Sequence, residues 1–144
     1  MSDEHTGKIL DVNLSTKQVK TVGLDAEVAH NFLGGLGLGI EILYDEVGPK
    51  VDAFSPDNIL IIAAGTLSGT SAPTNGRTHV VTKSTLTGLL GMGNFGGWWS
   101  PRLRLAGFEA IIIRGKSSSP VYLWINDDTI ELKSAENIWG KSTH

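Results

Sequence analysis

The first part of the chain shows strand and helix patterns in turn. Apolar and polar positions alternate along Lys8–Leu14 and, after a three-residue turn, along Gln18–Val22, which predicts a β-hairpin. Asp25 stands where a helix N-cap is expected, and the apolar positions after it recur at helical spacing until Gly34. A second helix is predicted over Leu38–Val47, where apolar residues again mark one side.

Strand patterns dominate the rest of the chain. The apolar run Ile59–Ala64 is bounded by turn residues and predicts a strand that is buried on both faces. A short helix is predicted around Ser100–Ala106, with a proline in its first turn and a glycine after its end. Further strands are predicted over Thr78–Lys83, Ala110–Arg114, Val121–Asn126 and Thr129–Lys133. The last two turn at 126–128, and because hairpins recur and strands outnumber helices, the predicted class is α+β, with largely antiparallel β-sheets and a few flanking helices.

Two segments fit neither pattern and are predicted to be irregular loops. They are Gly65–Arg77 (GTLSGTSAPTNGR) and Leu89–Gly97 (LLGMGNFGG), and long loops in compact domains often carry function. The Arg77 guanidinium offers a planar fork of donors to a phosphate or a heteroaromatic edge, while Asn94 offers an amide beside an unshielded glycine backbone. Residue chemistry alone leaves a second interpretation open, in which Arg77 is an ordinary strand-end charge and Asn94 a turn residue.

Charge is distributed unevenly along the chain, whose net charge is −3. All fifteen acidic residues lie outside Asn58–Phe108, a stretch that holds four basic residues and half of the eighteen glycines. An acid-free, glycine-rich segment suits close approach of the backbone to an anion, although four solvated surface charges are an equal alternative. Nucleic acid is not expected as a partner, because the whole chain is acidic and its basic residues do not cluster among aromatic ones.

Several common sites and signals are missing from the sequence. There is no cysteine and no zinc-binding pattern, and the four histidines are interpreted as surface or core residues. The GLG at 35–37 resembles the start of a dinucleotide fingerprint, but Ile40 replaces its third glycine. The AENIWGKS at 135–142 resembles a phosphate loop but carries bulky and charged residues where small ones are needed. There is no basic-apolar leader and no apolar run near the roughly 18 residues that span a bilayer, which predicts a cytoplasmic protein without a membrane partner.

Long runs of the sequence resemble a known family. These runs are GKILDVNLST, FLGGLGL, PDNILIIAAGTLSGTSAPTNGRTHVVTKSTLTG, GNFGGWWSPRLRLAGFEAIIIRGKSSSPVYLWIND and SAENIWGK. In this order and without large gaps, they closely resemble the N-terminal domain of tungsten-containing aldehyde ferredoxin oxidoreductases. The resemblance implies that residues 1–144 are a tungstopterin-binding N-terminal domain and a fragment of a larger enzyme. The domain is expected to be incomplete at its C-terminal end, because Trp139–His144 reads like the start of another element.

The resemblance also implies a cofactor and its contacts. The family binds tungsten between two pterins that are joined through phosphates and a magnesium ion. Its arginine after a glycine contacts the pterin, and the resemblance assigns that role to Arg77. The asparagine and the first glycine of the family's N-x-G-G run contact the cofactor, which assigns Asn94 and Gly96, with the Asn94 backbone reaching the magnesium. Phe95 departs from the small residue that the family usually carries between them.

Other parts of the family's machinery are missing from these 144 residues. The four cysteines that hold a [4Fe–4S] cluster in the family are absent, so no catalytic residue is assigned and the chain alone is expected to be inactive. The implied reaction converts an aldehyde and water to a carboxylate, with ferredoxin as the electron acceptor. Expected partners are therefore the remaining domains of the enzyme, ferredoxin, a small aldehyde and, as an option, a second copy in a homo-oligomer.

Two other functions stay open. Similar domains serve the tungsten subunits of aromatic-acyl-CoA reductases, although the stretch AGTLSGTSAPTNGR favours the aldehyde branch. Alternatively, the chain is a non-catalytic binding or assembly module that uses Trp98 and Trp99 against a partner, since these residues are interpreted as core or subunit contacts. A longer reading frame separates these hypotheses, because both enzymes require a C-x-x-C-x-x-x-C run and the module does not.

Overall fold

The computed structural model describes residues 7–127 and 129–142, and within these ranges the chain forms eight strands and three helices. The strands are β1 (Lys8–Asn13), β2 (Gln18–Gly23), β3 (Ile59–Ala64), β4 (Thr78–Lys83), β5 (Leu90–Phe95), β6 (Phe108–Arg114), β7 (Val121–Asn126) and β8 (Thr129–Ser134). The helices are α1 (Ala26–Phe32), α2 (Gly35–Glu46) and α3 (Trp99–Leu105). No helix of the described residues is long and apolar enough to cross a membrane.

Six of the strands form one sheet, in the order β2-β1-β6-β3-β4-β5, and β7 pairs with β8 in a separate hairpin. Every neighbouring pair is antiparallel except β1 with β6, where Leu10 lies opposite Ile111 in a parallel register. The predicted α+β class with largely antiparallel sheets is therefore confirmed. The predicted turn between β7 and β8 includes residue 128, which lies outside the described residues.

The six-stranded sheet is covered differently on its two faces. Helix α2 packs on one face, where Leu38, Ile61 and Val81 belong to one core cluster. Helix α3 and the β7–β8 hairpin cover part of the other face, around a second cluster of buried residues: Leu10, Val12, Ala64, Leu103, Phe108 and Ile111. The second cluster includes Ala64 at the end of β3 but not Leu60, which stays 36% exposed. The prediction that β3 is buried on both faces is therefore wrong at Leu60, which belongs to neither cluster of buried residues.

The junction between α1 and α2 is tighter than the sequence predicts. Asp25 caps α1 as predicted, since its Oδ1 accepts hydrogen bonds from the backbone N–H of Glu27 (2.8 Å) and Val28 (3.2 Å). Leu33 and Gly34 then adopt positive φ angles of 59° and 109°, which reverse the chain within two residues. Helix α2 consequently begins at Gly35, three residues before the predicted start.

Strand β5 lies inside a segment that was predicted to be irregular. Residues 89–97 contain four glycines, which are poor strand formers in isolation. The structure instead pairs β5 with β4 over six residues, from Thr78 opposite Phe95 to Lys83 opposite Leu90. Because β5 is the edge strand of the sheet, backbone pairing on one side is sufficient and its side chains need little burial.

Arg114 joins three elements through two carboxylates. Its Nε donates to Asp11 on β1 at 2.9 Å, and its guanidinium also donates to Glu46 at the end of α2. These contacts, led by the hydrogen bond to Glu46, raise the pKa of Arg114 above its ordinary value. Because folding raises this pKa, the stabilisation is fully present below the unfolded-state pKa and is lost only as the pH rises through the folded-state pKa.

Replacing Arg114 with methionine is expected to lower the free energy of unfolding by about 1–2 kcal/mol. The carboxylates of Asp11 and Glu46, both partly buried, lose a charged hydrogen-bond donor, and water that hydrates them in its place offsets only part of this loss. Urea unfolding followed by circular dichroism measures the change. Lys50→Met is the matched control, since Lys50 is exposed and forms no ion pair within the described residues, and it is expected to change stability by less than about 0.5 kcal/mol. Equal losses in both variants would contradict the role of Arg114.

Candidate functional site

The loop between β3 and β4 is held in shape by its own polar groups. Asn75 is the centre of this network. Its side-chain Nδ2 donates to the backbone oxygen of Thr70 at 3.0 Å, and its backbone carbonyl accepts a hydrogen bond from Ser68 Oγ at 2.7 Å. The same carbonyl accepts the backbone N–H of Arg77 at 2.9 Å. Hydrogen bonds thus fix a segment that contains neither helix nor strand, and they define the backbone position of Arg77 at its end.

This loop meets the residues that follow β5, and the two segments form the walls of a cleft. A Cβ added at Gly76 would lie 2.6 Å from the carbonyl oxygen of Gly97, so the two backbones touch at a point where only glycine fits. The open cleft beside this contact has a volume of about 420 Å³. It is lined by Thr74, Asn75, Gly76, Arg77, Gly96, Gly97, Trp98 and Pro101.

The cleft offers positive charge and bare backbone to a ligand. No carboxylate is among its lining residues, and Arg77 forms no ion pair within residues 7–127 and 129–142. A Cβ added at Gly96 or Gly97 would meet no atom within 4 Å, so their backbone is open to an approaching group. The indole of Trp98 is 80% exposed at the same cleft. Such a surface suits an anion that also carries a flat ring system.

The structure brings the three predicted site residues to one end of the sheet. Arg77 and Gly96 line the cleft, whereas Asn94 lies beside it on β5, opposite His79 of β4. Arg77 Nη1 donates to Asn94 Oδ1 at 2.9 Å, which links the two residues directly although they are 17 positions apart. Their proximity agrees with the prediction from the loops, and their contacts with a cofactor stay a prediction.

The two neighbouring tryptophans differ in their surroundings. Trp98 was interpreted as a core or subunit contact, and the interpretation as core is wrong, because its indole is exposed at the cleft. Trp99 is 37% exposed and packs edge-on against Phe95, with ring centroids 5.6 Å apart. Trp98 directly precedes α3, and its side chain accepts no hydrogen bond from the first turn of that helix. A subunit contact by either tryptophan stays a prediction.

Titratable side chains contribute little to this site. Within the described residues no three or more His, Cys, Asp or Glu side chains are grouped so that they could hold a metal ion. The nearest perturbed cation along the chain is Arg104, whose pKa is lowered by burial and which pairs with Glu109 away from the cleft lining. The chemistry available to a ligand here is therefore that of one guanidinium, the Thr74 hydroxyl, the Asn75 amide, backbone amides and carbonyls, and an indole.

Sequence comparison relates nearly the whole chain to one family. A family model described as "Aldehyde ferredoxin oxidoreductase, N-terminal domain" matches residues 9–144. The chain is 51% identical over 135 residues to a tungsten-containing aldehyde ferredoxin oxidoreductase of Pyrococcus furiosus. It is 40% identical over 148 residues to an aliphatic sulfonate oxidoreductase, WOR-like subunit, of the same organism. In both cases 94% of this chain is covered but only 22% of the relative, so the chain spans about a fifth of their length.

A solved structure gives the same relationship in three dimensions. The chain resembles part of the active-site complex of benzoyl coenzyme A reductase bound to 1,5-dienoyl-CoA, with a TM-score of 0.91 and 44% sequence identity. The similarity covers 93% of this chain and 20% of the other. The arrangement of sheet, helices and hairpin is therefore shared with a portion of a much larger protein.

Proposed function

Because the chain belongs to the aldehyde ferredoxin oxidoreductase family, we propose that it supplies part of the cradle for a tungsten bis-pterin cofactor. Residues 1–144 would act as the N-terminal domain of a cytoplasmic enzyme that oxidises aldehydes to carboxylates with ferredoxin as acceptor. The observation that carries the proposal is the cleft itself, where Arg77, which has no ion-pair partner among the residues that the structure describes, lies beside the bare backbone of Gly96 and Gly97.

The charge of the cleft lining supports this proposal. The cleft, of about 420 Å³, is open to solvent on one side, so this chain would hold only part of the cofactor and the remaining domains would cover the rest. A phosphate-bearing pterin carries negative charge, and a carboxylate in the lining would repel it, whereas this lining has none. When bound, the cofactor would supply the electron chemistry, and the chain's own residues would bind and orient it.

Arg77 has donors to spare for this role. A guanidinium carries five N–H donors, and the hydrogen bond to Asn94 Oδ1 engages one side of it. Asn94 therefore restrains the rotation of Arg77, while the remaining N–H groups, which have no acceptor within the described residues, could donate to a phosphate or a pterin edge. In this proposal Arg77 and Gly96 would contact the cofactor, and the backbone of Asn94 would help to hold its magnesium ion.

The remaining parts of the reaction would lie outside this chain. The chain contains no cysteine, so a [4Fe–4S] cluster would be held by residues of the remaining domains. No catalytic residue is assigned here, because Arg77 is the one titratable side chain among the described residues that line the cleft. The aldehyde, ferredoxin and a second copy of the protein are accordingly partners of the whole enzyme in this proposal.

A second candidate keeps the cofactor and changes the substrate. The observation that favours it is the TM-score of 0.91 with part of a benzoyl coenzyme A reductase complex. In that case the chain would belong to the tungsten subunit of an aromatic-acyl-CoA reductase, and the cleft would have the same role. A non-catalytic assembly module, by contrast, would carry neither tungsten nor pterin.

The test is to purify the whole protein from its native host under anaerobic conditions and to measure its mass, tungsten, magnesium, iron and pterin. We expect tungsten and pterin in fixed proportion, and ferredoxin reduction that depends on an aldehyde. Reduction of an aromatic acyl-CoA without aldehyde oxidation would select the second candidate. Protein that contains neither tungsten nor pterin would overturn both enzymatic proposals.

A further inference from the structure

Two serines far apart in sequence meet beneath the cleft. Ser68 belongs to the loop that precedes β4, and Ser100 lies in the first turn of α3. Their side chains are almost completely buried, at 1% and 0% exposure, and their Oγ atoms are 2.8 Å apart. We infer that Ser68 and Ser100 are positioning residues, which fix the separation of the two walls of the cleft and thereby the place of Arg77.

The direction of the hydrogen bonds can be assigned by counting hydrogens. Ser68 Oγ lies 2.7 Å from the backbone carbonyl of Asn75, which can only accept, so Ser68 donates its single hydroxyl hydrogen there. Ser68 Oγ must then accept the single hydroxyl hydrogen of Ser100. The carbonyl oxygen of Arg77 lies 3.2 Å from Ser100 Oγ, but it accepts its own hydrogen bond from the backbone N–H of Gly65 at 3.0 Å. The result is an ordered chain of donors that runs from α3 into the loop.

This chain of donors ends on the backbone carbonyl of Asn75, a residue that lines the cleft, while the Arg77 carbonyl lies in contact with Ser100. The carbonyls of Asn75 and Arg77 flank Gly76, and Gly76 is where the loop touches Gly97. The first turn of α3 supplies Pro101 to the opposite wall. The serine pair therefore connects both walls through buried hydrogen bonds, and buried bonds of this kind restrict movement because no water can replace a lost partner.

Thr78 provides a matched comparison for this inference. It is fully buried and directly follows Arg77, yet its hydroxyl has no hydrogen-bond partner within the described residues. Thr78→Val removes a buried hydroxyl at the same depth without breaking a bond. Ser68→Ala and Ser100→Ala each remove a hydroxyl that connects the walls. The comparison isolates the hydrogen bonds from the general effect of changing a buried polar residue.

The experiment uses the full-length protein and two measurements. Hydrogen–deuterium exchange of peptides covering 65–77 is expected to be about three- to tenfold faster in both serine variants than in wild type or Thr78→Val. Peptides from β3 should exchange at the wild-type rate, which a general loss of stability would not allow. The rate of pterin loss from folded, loaded protein should rise by the same factor of about three to ten.

The two measurements separate this inference from the proposed function on which its ligand depends. If wild type contains no pterin, the proposed function fails, while faster exchange confined to 65–77 still supports the positioning role. If wild type is loaded but the serine variants match Thr78→Val in both exchange and pterin loss, the positioning inference is wrong. Faster exchange throughout β3 as well would also overturn it, because the serines would then act on overall stability.

Discussion

Replacing Arg77 with alanine is expected to lower the pterin content of the purified full-length protein by about 10- to 100-fold, since a hydrogen bond to a charged group is lost at the cleft. Among the residues that the structure describes, no other cation lines the cleft, so no described neighbour can take over the charge. The measurement is pterin fluorescence after oxidation, together with tungsten by mass spectrometry. Arg77→Lys should give an intermediate loss, because it keeps the charge but not the planar fork.

The control for Arg77 is Arg102→Ala. Arg102 belongs to the same acid-free stretch and is exposed on α3, but it lines a different, apolar groove. Both variants remove one positive charge, so a general electrostatic effect would lower pterin content equally in the two. Full pterin content in Arg77→Ala would mean that the guanidinium does not contact the cofactor, whatever the fate of the Arg102 variant.

Replacing Gly76 with alanine is expected to destabilise the protein by about 1–3 kcal/mol and to lower its tungsten and pterin content by about tenfold or more. The reason is steric: the new methyl group would overlap the Gly97 carbonyl oxygen, whose backbone cannot rotate away as a flexible side chain would. The two walls of the cleft must therefore separate. Thermal unfolding and metal analysis of the same preparation measure the two effects.

Gly93→Ala is the control for this substitution. Gly93 lies on β5 near the same cleft, has no positive φ and would place its Cβ at least 4 Å from any neighbouring atom. The alanine there should leave stability and cofactor content close to wild type. If Gly76→Ala were as stable and as fully loaded as Gly93→Ala, the close approach of the two loops would not matter for the site.

The sequence predicted those elements whose causes are local. The hairpin of β1 and β2 follows from alternation along two short runs, and the start of α1 follows from one capping residue, Asp25. Strand β5 escaped prediction because its glycines give no propensity signal, and the strand exists through pairing with β4. The early start of α2 depends on the left-handed backbone of Leu33, which no local rule requires of a leucine.

The same distinction holds at the candidate site. Arg77, Asn94 and Gly96 could be selected because two glycine-rich, acid-free loops stand out in the sequence and resemble a family pattern. The roles of Ser68 and Ser100 could not be predicted, because two serines 32 residues apart give no sign of meeting until the fold is known. Backbone contacts, such as that of Gly76 with Gly97, depend on tertiary structure in the same way.

The parallel pairing of β1 with β6 also has a consequence for synthesis of the protein. Arg114 on β6 lies 103 residues after its β1 partner Asp11, so β1 leaves the ribosome long before its central neighbour exists. At about 5–20 residues per second, this interval lasts about 5–20 s. Leu10 and Val12 are fully buried in the finished sheet, but during that time β1 is paired only with β2, so their apolar side chains stay largely exposed to solvent. A nascent-chain chaperone that binds short apolar segments would therefore find its target in the first strand of this protein.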